Sequence, residues 1–296
     1  MSQPNRPAHA APAEYAGPPG GLPGQRAVMT DRAIFTPAYA VLPHGTMRDI
    51  VTSRLPGWRG TRVWMLARPL SGFAETFAYM VVELEPDGGS ERPDPAQGSE
   101  AVLFVTQGRM ELSLDGEAHS LGPGSYVYLA PGTVWQIHNP GPKPAQFHWI
   151  RKRFQSAAGL APPTSFVTEE AAQSPVEMAG SAGAWTTTRF VDPLDLRHDM
   201  HVNIVNFEPG GSIPFAETHV MEHGIYVLEG KAVYRLNGDW VEVEAGDFIW
   251  LRAFCPQACV AAGPVRFRYL LYKDVNRHPP LDLAGAGGAG WAEDAG

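Results

Sequence analysis

The residues most able to do chemistry in this chain fall in one short run, Glu217-Thr218-His219-Val220-Met221-Glu222-His223, with Gln257 further along. The run reads E-x-H-x3-H inside a segment that otherwise has the pattern of β-sheet. A strand sends residues i and i+2 to one face, so Glu217 and His219 point the same way, and His223 keeps their parity or reaches the same space across a short turn. One carboxylate and two imidazoles on one face, walled in by apolar strands, are costly to desolvate unless something neutralises and ligates them. A divalent metal does both. Glu222 has the opposite parity and reads as a hydrogen-bonded or exposed acid.

The elements that must position this run are repeated along the chain. Gln107-Gly108-Arg109-Met110 through Asp115-Gly116 and on to Gly124 has a counterpart in Glu229-Gly230-Lys231-Ala232 through Asn237-Gly238 and on to Gly246. Gly108, Gly116 and Gly124 each recur 122 residues later. Asp115-Gly116 and Asn237-Gly238 are preferred two-residue hairpin turns, because they tolerate positive φ. The runs beside them alternate apolar and polar, as half-buried strands do. Glu85-Pro86-Asp87-Gly88-Gly89 resembles Glu208-Pro209-Gly210-Gly211, one residue out of register. The expected fold is therefore all-β, a duplicated unit of short strands and glycine turns forming sandwiches or barrels.

Aligned at that spacing, the first copy sets Pro95 opposite Glu217, Gln97 opposite His219, Ala101 opposite His223 and Trp135 opposite Gln257. Pro, Ala and Trp ligate nothing, so the first copy is expected to be metal-free and structural. His119, His138 and His148 lack ligand spacing and read as surface or packing residues.

Composition bounds the partners. A net charge of −8 over 296 residues argues against a general nucleic-acid binder. No run of 18 apolar residues predicts a membrane span, and no secretory signal is visible. Cys255 and Cys259 make no disulfide framework, and a reduced, cytoplasmic setting fits best. Residues 1–26 and 281–296 are rich in Ala, Gly and Pro without hydrophobic period, and are expected to stay outside the fold as tails. The domains expected between them are 27–165, a metal-free barrel, and 166–280, the barrel that holds metal and active site.

The glycine-punctuated pattern with inward ligands resembles a cupin, and its duplication a bicupin: two tandem double-stranded β-helix, or jelly-roll, barrels. Within that superfamily, Glu217-Thr218-His219-Val220-Met221-Glu222-His223-Gly224 and Tyr269-Leu270-Leu271-Tyr272-Lys273-Asp274-Val275-Asn276-Arg277 resemble signatures of the (S)-ureidoglycine aminohydrolase family. The resemblance covers roughly residues 30 to 280. It implies a manganese-dependent enzyme of ureide and purine breakdown, which converts (S)-ureidoglycine and water into (S)-ureidoglycolate and ammonia. It implies one Mn2+ in the C-terminal cupin, held by Glu217, His219, His223 and Gln257, and a substrate pocket that includes Tyr234, Tyr269 and Lys273. It also implies a small-molecule ureide as partner and a homo-oligomer.

The residue types agree with this. Mixed oxygen and nitrogen donors suit Mn(II), with Fe(II) or Zn(II) as substitutes. Tyr234 has inward parity, and its hydroxyl needs a polar partner inside the barrel. Tyr269, Leu271 and Lys273 share one face of a late strand. A lysine there is costly unless it meets an anion, and the substrate carboxylate is one. Lys273 is the one cation that the pattern places inside the C-terminal barrel. Glu217, next to the leaving amine, is the expected proton shuttle and Lys273 the expected catalytic anchor. Another metal-dependent cupin enzyme, a dioxygenase or isomerase, and a non-catalytic small-molecule-binding cupin remain alternatives.

Overall fold

A computed structural model describes residues 15–18, 32–46, 55–94 and 98–275. Pro95, Gln97, residues 281–296 and most of the segment 1–26 lie outside the described residues. The repeated strands form where the alternating pattern places them, and the turns form where Asp, Asn and Gly permit them. Between Glu217, in an isolated bridge, and the strand that begins at His223 the chain is irregular rather than extended strand. Asp115 (φ 49°) joins Met110–Leu114 to Glu117–Leu121, and Asn237 (φ 56°) joins Lys231–Leu236 to Asp239–Glu244. Among the described residues there are twenty strands and two short 3-10 turns, and no helix long and apolar enough to cross a membrane.

The repeat seen in the sequence recurs as pairing register. Ala101 pairs with Leu129 and Leu114 with Trp135 in the first unit; His223 pairs with Leu251 and Leu236 with Gln257 in the second. Every one of these positions shifts by the same 122 residues. The two units are therefore superimposed copies of one barrel.

Strand parity divides the apolar residues into three cores. Val82, Leu103, Leu112, Phe147 and their neighbours fill the first barrel, while Ile225, Val227, Tyr234, Phe267 and theirs fill the second. The alternate residues of the same strands, among them Tyr79, Phe104, Tyr226 and Tyr272, form a third core between the barrels. Full burial of each such side chain contributes roughly 1.5–3 kcal/mol. Polar contacts tie the barrels as well. The Glu222 carboxylate accepts the backbone N–H of Glu75 (2.8 Å) and Thr76 (2.9 Å) and the Trp250 indole N–H (2.7 Å). The opposite-parity acid is thus buried and hydrogen-bonded, clamping one barrel to the other. His148 also lies in this interface, fully buried between Tyr79 and Tyr226.

Two expectations about boundaries need correcting. The division at 165/166 is crossed by a reciprocal exchange of strands. Tyr39–Leu42 leaves the first unit to pair with Phe248–Leu251 of the second, and Phe166–Glu169 leaves the second to pair with Ser125–Leu129 of the first. Each unit's leading strand completes the other unit's sheet. The Arg32 guanidinium strengthens the first crossing by donating to Asp247 (2.7 Å). The second correction concerns the Ala/Pro-rich N-terminal segment, which is not wholly outside the fold. Tyr15 is buried, packs edge-on to Phe104 (5.5 Å) and donates its hydroxyl to Glu170 (2.9 Å). Its aromatic ring supplies the apolar area that its neighbours lack.

Candidate active site

One cavity in the second barrel collects the residues singled out in the sequence. Its wall includes Glu217, His219, His223, Gln257, Tyr269 and Lys273. His223 opens the strand His223–Glu229, and its sheet neighbour on one side is Lys273, from the strand Phe267–Asp274. Beyond Lys273 in the same row lies His201 of Met200–Phe207. Residues paired directly across a sheet share a face; His223 and Lys273 border the cavity, and His201 lies beside Lys273 outside its wall. Glu217 and Gln257 meet in an isolated bridge, each backbone N–H donating to the other's carbonyl at 2.9 Å. That bridge delivers both side chains to the mouth of the barrel.

The donor groups are near one another without closing into a compact cage. His219 Nε2 lies 3.4 Å from Glu217 Oε1, and the His219 and His223 ring centroids are 5.3 Å apart. Among the described residues, no three His, Cys, Asp or Glu side chains meet at metal-ligand spacing. The donor chemistry nevertheless fits a divalent cation. His223 Nδ1 lies 3.0 Å from the Glu222 carbonyl; as the donor it leaves Nε2 with a free lone pair. Burial holds the His223 pKa down at about 3, so the ring is neutral, as ligation requires. Small side-chain movements by Glu217 and His219 would bring a carboxylate, two imidazoles and the Gln257 amide oxygen around one ion.

Lys273 is mostly buried, and no carboxylate forms an ion pair with it among the described residues. Burial, followed by the nearby Arg189 charge, pushes its pKa below the usual lysine range, while Glu217 offsets part of that. Arg189 lines the same cavity. The expectation that Lys273 is the one cation inside this barrel is therefore corrected. Arg189 follows the strand Trp185–Thr188 with the inward parity of Trp185 and Thr187, a signal that alternation alone carried. Asn203, also on the wall, was missed for a similar reason: it belongs to a strand with no motif.

Tyr269 lines the cavity, but Tyr234 does not. Tyr234 is fully buried one layer deeper, its ring 6.4 Å from that of Tyr269 and its hydroxyl close to the Cys259 thiol. Burial raises the pKa of both phenols well above the ordinary value and that of Cys259 to about 12, so all three are neutral. Inward parity was read correctly from the sequence; the depth of the residue along the barrel was not legible in it.

The corresponding positions of the first barrel, Ala101, Trp135 and Arg151, border only a smaller cleft. Trp58, Trp135 and Trp149 pack against one another with centroids 5.5–6.0 Å apart. Trp135 occupies the register position of Gln257, and Ala101 that of His223. Arg151 occupies that of Lys273, but it is paired with Asp94 at 3.4 Å.

The comparisons with known proteins agree with this architecture. A family model described as "Cupin domain" matches residues 80–151 and 203–272, one match per barrel. The chain is 30% identical over 246 residues to the (S)-ureidoglycine aminohydrolase of Escherichia coli strain K12, spanning 80% of this chain and 92% of that protein. The chain belongs to the (S)-ureidoglycine aminohydrolase family. A probable member from rice, Oryza sativa subsp. japonica, is 31% identical over 84% of this chain and 76% of its own length. Among solved structures, a putative glyoxylate-induced protein from Pseudomonas aeruginosa matches with a TM-score of 0.85 and 61% identity, over 91% of this chain and 98% of that one. The E. coli protein Ylba matches with a TM-score of 0.73 and 28% identity, over 86% of this chain and 98% of that one.

Proposed function

We propose that this chain hydrolyses (S)-ureidoglycine to (S)-ureidoglycolate and ammonia in ureide catabolism, using a manganese ion held by Glu217, His219, His223 and Gln257. The observation that carries the reading is the meeting of these four donors with Lys273 and Tyr269 in one cavity, within a chain of this family.

The bound ion would supply Lewis acidity and a fixed template at the reacting carbon. The chain's own groups supply the rest. Lys273 binds the substrate carboxylate, and the Tyr269 hydroxyl meets the ureido end. Fixing two ends of a small molecule against a third point selects one face, and hence one enantiomer. Tyr234 backs Tyr269 and keeps its ring in place. In the reaction the C–N bond to the amine breaks and a C–O bond to water forms. Glu217, at the edge of the cavity, carries a proton from the attacking water toward the departing amine, which leaves as ammonia.

We also place the protein in the cytoplasm as a homo-oligomer; two buried free thiols, Cys255 and Cys259, suit a reducing compartment. The deciding experiment measures ammonia release from freshly generated ureidoglycine, with and without added Mn(II). Ammonia release that depends on Mn(II) supports the proposal, and none above the spontaneous rate from metal-loaded protein refutes it.

A further inference from the structure

Two cations face one cavity in the second barrel, and neither has a carboxylate partner among the described residues. Like charges brought together in a partly desolvated wall are unfavourable unless an anion arrives between them. The first barrel shows the alternative: its cation at the Lys273 position, Arg151, has Asp94 built in beside it. The second barrel keeps the cation and adds Arg189, and its one carboxylate on the same wall among the described residues, Glu217, is a candidate metal ligand that forms no ion pair with either cation.

The backbone register locates Arg189 more closely. Thr187 pairs with Val205 and Thr188 with Ile204, so one step further places Arg189 beside Asn203. Asn203 in turn pairs with Leu271, two residues before Lys273. Asn203 is buried, and its Oδ1 has no hydrogen-bond partner. A buried amide oxygen left unpaired is unfavourable, and a donor from a ligand relieves it. The wall therefore presents two positive charges and, beside them, one waiting acceptor.

We propose that Arg189 is a specificity-determining residue that shares the ligand's carboxylate with Lys273, while the Asn203 Oδ1 receives an N–H of the ureido group. The inference rests on the ureide reading above, and it adds the group that makes the site select an acid over its neutral amide. A planar guanidinium grips a carboxylate through two parallel hydrogen bonds, whereas an ammonium acts as a point charge. Arg189 fixes the orientation of the carboxylate and Lys273 adds to its attraction.

The test uses the manganese-loaded full chain and two unreactive probes, N-carbamoylglycine and its neutral amide, titrated by calorimetry. Wild type is expected to prefer the acid. Arg189→Met should lose about ten- to a hundred-fold in affinity for the acid and leave the amide unchanged. Arg189→Lys should recover part of the loss. Asn203→Asp, which conserves shape and places a carboxylate beside Arg189, should weaken the acid in the same way. Acid affinity unchanged in Arg189→Met, or acid and amide weakened equally, overturns the inference. If the enzyme deaminates ureidoglycine yet Arg189→Met binds the acid as wild type does, the inference fails alone. If the acid preference depends on Arg189 but no ammonia is released, the ureidoglycine reading fails and the anion seat stands.

Discussion

Phe77 of the first barrel lies directly on Gly224 of the second: a β-carbon added to Gly224 would sit 2.7 Å from the Phe77 ring. The same ring stacks on Tyr272 at 4.0 Å, and Tyr272 pairs with Gly224 across the sheet. Gly224 follows His223 directly, so its strand shows a candidate ligand on one face and an aromatic from the other barrel on the opposite face. The first barrel thus sets how deep that strand sits. Gly224→Ala is expected to cost about 1–3 kcal/mol through overpacking and to lower the melting temperature by several degrees. Adding Phe77→Leu should recover part of the loss. Strict additivity in that double-mutant cycle would show that the two residues do not press on each other.

Elemental analysis of manganese-reconstituted protein should find about one ion per chain, because one donor set is intact and the other is replaced by Trp135 and Ala101. The double variant His219→Ala with His223→Ala should carry almost none. Two ions per chain, or full loading of the double variant, would be incompatible with the assignment.

Gln257→Leu should bind manganese more weakly than wild type, by roughly ten-fold or more, while melting at nearly the same temperature. The change removes one neutral oxygen donor and roughly conserves volume. Equal affinity, measured by competition with a chelator, would take Gln257 out of the ligand set.

Lys273→Met should reduce kcat/KM for ureidoglycine by about ten- to a hundred-fold with metal content unchanged, the loss of one charge-assisted contact. Since Arg189 lines the same cavity, the single variant should keep measurable turnover. Wild-type kinetics would remove Lys273 from the substrate's surroundings.

His148 predicts a pH effect on stability. Burial lowers its pKa from 6.5 to about 3, and neither ring nitrogen has a hydrogen-bond partner. Below pH 6.5 the unfolded chain takes up a proton that the folded chain refuses, so this stability is present at neutral pH and is lost as pH falls toward 3. The slope from this one group approaches about 1.4 kcal/mol per pH unit. Denaturant midpoints at pH 7 and pH 5.5 should therefore differ more for wild type than for His148→Phe. Equal differences would mean that His148 is protonated in the folded protein.

Much of this was legible in the sequence because it is local. Hairpins follow from Asp115-Gly116 and Asn237-Gly238, and duplication from glycines at fixed spacing. The run Thr218 to Glu222 is irregular, so Glu217, His219 and His223 border one cavity from a bridge, a loop and a strand start rather than through strand parity. What could not be read depends on contacts between distant segments. Nothing in the run Tyr39–Leu42 says which of two similar barrels it will join, since either offers the same edge. Tyr15 is one aromatic in a Pro/Ala-rich stretch and gains its place from Phe104 and Glu170. Parity put Tyr234 inside the barrel but gave no measure of depth, so a second-layer ring read like a wall residue. Arg189 and Asn203 obey the alternation that exposed Lys273, but no motif drew attention to their strands.

The reciprocal exchange of leading strands has a consequence for synthesis. Tyr39 reaches its partner Leu251 only after more than two hundred further residues have been made. The first barrel can begin to close on the ribosome, but the edge strand it lends has nowhere to dock until the second barrel emerges. Completion of both sheets is therefore post-translational and depends on contacts of very long sequence separation, which makes it slow. A chain truncated before Phe248 leaves that lent strand unpaired, an edge open to association with other copies. Released fragments of the first barrel alone should aggregate rather than accumulate as independent domains.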